Sequence, residues 1–205
     1  MTTITVLGAG NIGSAVAGIA AKSGETVQVI DRDAAKAQTA AGNGTGSVWG
    51  AAIEGDIVVL ALPYPAYADA IAAYGPQLAG KVVVDPSNPI DFSTFDSVVP
   101  AEYGSAAAEL AAKLKDAKIV KAFNTNFAAT LASGEIDGTP TTVAVASDDE
   151  DAKKAVAGFV QAAGLRTVDA GPLKRAANLE GMGALQIFLG ITEQTPWPAG
   201  FKIVK

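Results

Sequence analysis

The residues able to do chemistry cluster first around a run of glycines. Gly8, Gly10 and Gly13 stand in VLGAGNIG with the spacing G-x-G-x-x-G. An apolar, β-branched stretch from Thr3 to Leu7 precedes them, and a small-residue stretch from Asn11 to Ser23 follows. At such a strand–helix junction the glycines divide the work. Gly8 permits the tight turn, Gly10 lets the backbone approach a pyrophosphate, and Gly13 lets the helix close on the strand. The N–H groups and dipole of the helix start favour the anion. The spacing predicts a dinucleotide site.

A second group follows the next predicted strand, in Ile30-Asp31-Arg32-Asp33-Ala34-Ala35-Lys36. Asp31 lies 18 positions after Gly13. A carboxylate there accepts the 2′-OH of the adenosine ribose, which fits NAD. Arg32 and Lys36 fit a 2′-phosphate instead, which points to NADP. The two readings compete, and ordinary solvated surface is a third reading of the two cations.

The third group sits at later strand ends, where doubly wound sheets hold their ligands. Leu62-Pro63-Tyr64-Pro65, Pro86-Ser87-Asn88-Pro89 and Asn124-Thr125-Asn126 each follow a predicted strand. Asn88 and Asn124 have the groups to bond a nicotinamide amide or ribose, and Pro63 and Tyr64 to pack on the pyrophosphate–ribose stretch. Each has a plainer reading: Asn88 satisfying its turn, Asn124 capping the next helix, Tyr64 as a wall.

What is missing narrows the chemistry. The chain has no Cys and no His. That excludes thiolate and Ser-His-Asp nucleophiles, disulfides and Cys or His metal sites. Tyr64 and Lys174 are the proton donors left near the strand ends, each better read as wall or surface, so no catalytic residue and no metal ligand is assigned. Asp148, Asp149, Glu150 and Asp151 run consecutively, so they splay around a helix start and complement its dipole instead of converging on a metal. Net charge is -6 with no long basic run, which argues against a nucleic-acid partner. The start, MTTITVLGAG, carries no signal-peptide pattern, and the longest apolar run, 57–63, is too short to cross a bilayer. A cytoplasmic location is the expectation.

Predicted strands and helices alternate along all 205 residues. This predicts a three-layer, doubly wound, Rossmann-like α/β sheet, mostly parallel, with a long C-terminal helix over 173–189. The tail, with Trp197, Phe201, Ile203 and Val204, is expected to dock because it would otherwise expose large apolar groups. Segments 90–104 and 132–140 read as irregular. One domain over 1–205 is expected, with 165–205 completing the acceptor side or a homodimer contact.

Several segments together resemble the coenzyme F420-dependent NADP oxidoreductase family. They are GAGNIG at 8–13, DRDAAKA at 31–37, LPYPAY at 62–67, DPSNP at 85–89, KAFNTNFAATL at 121–131 and DAGPLKRA at 169–176, with Gly200-Phe201-Lys202 near the end. The chain is most similar to short bacterial dinucleotide-binding members, and its nucleotide-binding part also resembles the cytosolic domain of Steap ferric reductases. The resemblance implies a loop around the pyrophosphate formed by Gly8, Ala9, Gly10, Asn11, Ile12 and Gly13. It implies 2′-phosphate contacts from Arg32 and Lys36. Two departures stand out: Asp31 occupies the place of a small hydroxyl residue, and Asn124 the place of a histidine in the deazaflavin enzymes. The activity implied is hydride transfer between NADP(H), or NAD, and a small-molecule acceptor such as a flavin or coenzyme F420. The alternatives are an NAD(P)H-dependent imine reductase and a non-catalytic redox sensor.

Overall fold

A computed structural model describes residues 2–203. Strands β1 (Thr3–Leu7), β2 (Thr26–Asp31), β3 (Thr45–Val48), β4 (Ile57–Leu60), β5 (Val82–Asp85) and β6 (Lys118–Lys121) form a parallel run in the order β3-β2-β1-β4-β5-β6. Two further strands, β9 (Thr142–Ala146) and β10 (Arg166–Gly171), extend the sheet beyond β6. They are parallel to each other, and β9 meets β6 antiparallel through one register pair, Lys121 with Ala146. The expected mostly parallel sheet is therefore present, with a reversal near one edge.

Helices cover both faces. On one face α1 (Asn11–Lys22), α2 (Ala34–Ala41), α5 (Ala128–Ser133) and α6 (Glu150–Ala162) pack Val16, Ala37, Leu131 and Phe159 against Ile4, Val6 and Val29. On the other, α3 (Tyr67–Leu78) and α4 (Ala106–Lys113) pack Tyr74, Leu78 and Leu110 against Leu7, Leu60 and Val83. The strands are thus apolar on both sides, as buried parallel strands require.

Local chemistry fixes the helix starts. Asp33 accepts from the N–H groups of Ala35 and Lys36 and caps α2. Asp149 caps α6 through the Ala152 N–H, with Glu150 and Asp151 in its first turn; the acidic run is a helix start. The long C-terminal helix is α7 (Ala176–Ile191), entered through a 3-10 turn over Leu173–Arg175.

One helix carries an internal proline, and two details differ from the sequence reading. Helix α3 runs to Leu78 through Pro76. A proline removes one backbone bond, and burial of Tyr74 and Leu78 holds the last turn. Segment 132–140 contains a small hairpin of β7 (Glu135–Ile136) and β8 (Thr139–Pro140), turned by Asp137-Gly138 with φ of 49° and 66°. The tail docks only in part. Trp197 lies 4.9 Å from the Phe127 ring and the Phe201 N–H reaches Gln186 Oε1 at 3.4 Å, yet Trp197, Phe201 and Ile203 stay about half exposed. Val204 lies outside the described residues. No helix among them is long and apolar enough to cross a membrane.

Candidate functional site

The glycine loop lies between β1 and α1, against β4. Gly8 adopts φ +103°, and a Cβ there would sit 2.3 Å from the Ala61 carbonyl oxygen. A Cβ on Gly13 would fall 1.9 Å from the Gly8 oxygen, whereas one on Gly10 would meet nothing within 4 Å. Two glycines close the turn and the third leaves open space. Gly10 is also the N-cap of α1 and offers no side-chain cap, so the first-turn N–H groups remain open to an anion.

Asp31 is turned into this loop. Its Oδ2 accepts from the Ala9 N–H at 2.7 Å and its Oδ1 from the Asp33 N–H at 2.9 Å. Burial pushes its carboxyl up, but these N–H groups and the charge of Lys36 outweigh that and hold it below the usual range. The carboxylate therefore braces the loop. Arg32 lies over the Trp49 ring at 5.7 Å and 3.4 Å from Asp69, with 73% of its side chain exposed. Lys36 stands in the first turn of α2.

A cavity of about 1160 Å³ runs from Gly10, Asn11 and Ile12 past Leu62, Pro63 and Tyr64 to Asn88 and Asn124. Gly8, Ala9 and Gly13 back the loop, while Asp31, Arg32 and Lys36 lie outside this cavity. Residues that the sequence reading did not assign complete it: Ser87 and Asn126 at strand ends, Phe127 of α5, and Gly183, Gln186 and Ile187 of α7.

The two asparagines bond to each other. Asn124 Nδ2 donates to Asn88 Oδ1 at 2.9 Å and to the Leu179 carbonyl at 2.8 Å, and Asn88 Nδ2 donates to the Asn124 carbonyl at 2.7 Å. Asn124 does not cap α5, whose N-cap is Phe127. Just before Asn124, the buried Phe123 takes φ 68°, a left-handed conformation that strains a bulky residue. Asn124 Oδ1, Asn126 Oδ1 and Ser87 Oγ are buried without a partner. Such atoms are costly unless a ligand or water meets them. Tyr64 donates its hydroxyl to Glu109. Burial and that carboxylate push the phenol well above its ordinary value, so it keeps its proton and serves as a wall. Lys174 is exposed and off the cavity.

Beneath the 85–89 loop lies a charge cluster the sequence did not signal. The fully buried Lys121 Nζ donates to Asp85 at 2.9 Å, Glu180 at 2.8 Å and the Ser87 carbonyl at 2.7 Å. Tyr67 donates to Asp85 at 2.6 Å. Burial and the nearby Asp85 raise Glu180 despite Lys121. The cluster locks the loop that carries Ser87 and Asn88.

Comparison with known proteins gives this geometry its relatives. Residues 3–89 match the family described as NADP oxidoreductase, coenzyme F420-dependent. The chain is 32% identical over 209 residues to the F420-dependent NADP reductase of Methanothermobacter thermautotrophicus, covering 93% of this chain and 90% of that protein. It is 33% identical over 147 residues to the F420-dependent NADP reductase of Methanocaldococcus jannaschii, covering 69% of this chain but 65% of that one. A solved structure from Arthrobacter sp. FB24, provisionally described as an F420-dependent NADP-reductase, superposes over the whole of both chains at 27% identity and a TM-score of 0.81. With nine-tenths of the Methanothermobacter reductase aligned at that identity, this chain belongs to the coenzyme F420-dependent NADP oxidoreductase family, a family of NAD(P)-dependent oxidoreductases.

Proposed function

We propose that the protein passes a hydride between NADP(H) and a flavin- or deazaflavin-like acceptor. The observation that carries this reading is one cavity that joins the glycine loop to a largely apolar chamber with unpartnered amide carbonyls. The dinucleotide fits the residues present: open N–H groups at Gly10 for the pyrophosphate, Leu62 and Pro63 along the ribose stretch, and the Asn124 and Asn126 carbonyls for a carboxamide. When bound, it supplies the hydride, and the chain supplies alignment and exclusion of water.

No side chain needs to move a proton. For each hydride passed to a flavin-like ring, one proton is taken up from water, because Tyr64, the one ionisable side chain among the described residues lining the cavity, is committed to Glu109. A carbonyl or imine usually wants an acid near the reacting atom, so the flavin-like reading is favoured over an imine reductase. Bracing of the loop by Asp31 leaves Arg32 and Lys36 to meet a 2′-phosphate, which favours NADP over NAD.

The rest of the reading follows from it. The chain works as one domain, and 165–205 closes the acceptor side through Gly183, Gln186 and Trp197. The exposed Met182, Leu185 and Phe188 of α7 suit a homodimer contact, which a monomeric light-scattering profile at working concentration overturns. A cytoplasmic setting gives access to NADPH. Parallel calorimetric titrations with NADPH and NADH at one salt concentration test the cofactor. NADPH binding at least tenfold tighter is expected; tighter NADH binding overturns the assignment of Arg32 and Lys36.

A further inference from the structure

We propose that the acceptor end of the cavity selects an uncharged ring, and that an acceptor bearing a phosphate or carboxylate tail is disfavoured. The inference rests on the reading of this cavity as the hydride-transfer site. Among the described residues that line it there is no Asp, Glu, Lys or Arg. Its polar groups are neutral: amides, the Ser87 hydroxyl and Tyr64. An anion placed there finds no cation, and desolvation without a partner is costly.

The rim points the same way. Phe92, Val98, Ile191 and Trp197 line the cavity and are 67%, 45%, 45% and 50% exposed, so an apolar surface continues into solvent. Segment 90–104 supplies Ile90, Phe92 and Val98 to the wall. That segment carries Asp91, Asp96 and Glu102 and no Lys or Arg. Hydrogen bonds from the Ser93 hydroxyl and N–H hold the Asp91 carboxyl below its ordinary range, so it is ionised near neutrality. An anionic tail leaving the cavity on this side meets like charge. Lys202 follows Phe201, whose N–H bonds Gln186, but its ammonium is turned to Asp137 at 3.0 Å.

The opposite arrangement holds at the dinucleotide end. There Arg32, Lys36 and the open start of α1 provide positive charge for phosphates. The chain thus provides for anions at one end and not at the other. A neutral planar ring gains from the apolar walls at no such cost.

The test compares acceptors that differ only in the tail. NADPH oxidation is followed with riboflavin against FMN, and with the deazaflavin alcohol against coenzyme F420, plus menadione as a neutral quinone. The expected result is a kcat/KM at least tenfold higher for the member of each pair whose tail is uncharged, turnover with menadione, and a gap that narrows at high salt. A double variant, Asp96→Asn with Glu102→Gln, should raise FMN turnover at low salt and leave riboflavin turnover unchanged. If the charged member of both pairs performs as well as or better than its partner, the inference is wrong while the hydride-transfer reading stands. Turnover with none of the five, with NADPH still bound in calorimetry, refutes the hydride-transfer reading and the inference with it.

Discussion

Gly183 gives a direct test of how the two asparagines are held. A Cβ added there would lie 2.2 Å from Asn88 Oδ1 and 2.6 Å from its Cγ. Gly183→Ala must therefore push the Asn88 amide away and break its two bonds with Asn124. Each bond contributes roughly 0.5–1.5 kcal/mol net, so the loss is about 1–3 kcal/mol. Against it stands the gain from replacing a helical glycine by alanine, about 0.8–1 kcal/mol. Gly158→Ala separates the two effects, because Gly158 lies inside α6 and a Cβ there meets nothing within 4 Å. That variant should melt higher by roughly 2–4 °C, the shift per kcal/mol for a chain of this size. Gly183→Ala should melt below Gly158→Ala by roughly 2–12 °C and lose kcat/KM at least tenfold, while Gly158→Ala turns over as the parent does. Thermal melts and steady-state NADPH oxidation read both. Equal melting of the two variants with full activity in Gly183→Ala would refute the argument that α7 pins Asn88.

Gly10→Ala should cost about 1 kcal/mol or less as an N-cap change yet weaken NADPH binding at least tenfold in calorimetry, because the open face of the loop is then filled. Asp31 sits below its ordinary value of 3.8 in the folded chain. It therefore adds stability above about pH 4 that is lost as pH falls through its folded value. Melts from pH 7 to 3 should show a shallower acid limb in Asp31→Asn, with NADH and NADPH affinities changed by the same factor, because the carboxylate braces the loop that both share. Lys121→Met leaves Asp85 and Glu180 buried without their cation and should destabilise by about 3–5 kcal/mol, seen as a large fall in Tm; a melt near that of the parent would show that the cluster holds little.

Much of the fold is readable because its signals are local. The alternation of apolar runs with small-residue helices, the Asp33 and Asp149 caps and the glycine spacing are written within a few residues of the structure they make. The Asp137-Gly138 turn is equally local, and that dipeptide between short strands is a hairpin signal that a loop reading passes over. The role of Asp31 is not readable, because position alone does not tell which way a carboxylate turns, and here it meets the Ala9 N–H across 22 residues. The Lys121 cluster joins residues 36 and 59 positions apart, with no periodicity to betray it. The far wall of the cavity comes from α7 and the tail, within the 165–205 region expected to complete the acceptor side or a homodimer contact, but its composition looks like ordinary core and does not tell which residues face inward. Asn126 is within reach of the sequence, two residues from Asn124 in the same strand end.

The reversal between β6 and β9 has a thermal consequence. Other neighbouring strands of the eight-stranded sheet share three to five register pairs, and this joint has one. Apolar contact does much of the holding, including the Phe123 and Phe159 rings at 6.1 Å, beside a bond from the Ser147 hydroxyl to the Ile119 carbonyl at 2.6 Å and the Lys118–Asp149 pair at 3.2 Å. Apolar association weakens on cooling. Chilling or pressure therefore loosens β9, β10 and α6 against the parallel run before it loosens that run itself. Asn126, tied to β9 through the Thr142 carbonyl, moves with them, which makes this strand-end wall of the cavity sensitive to cold.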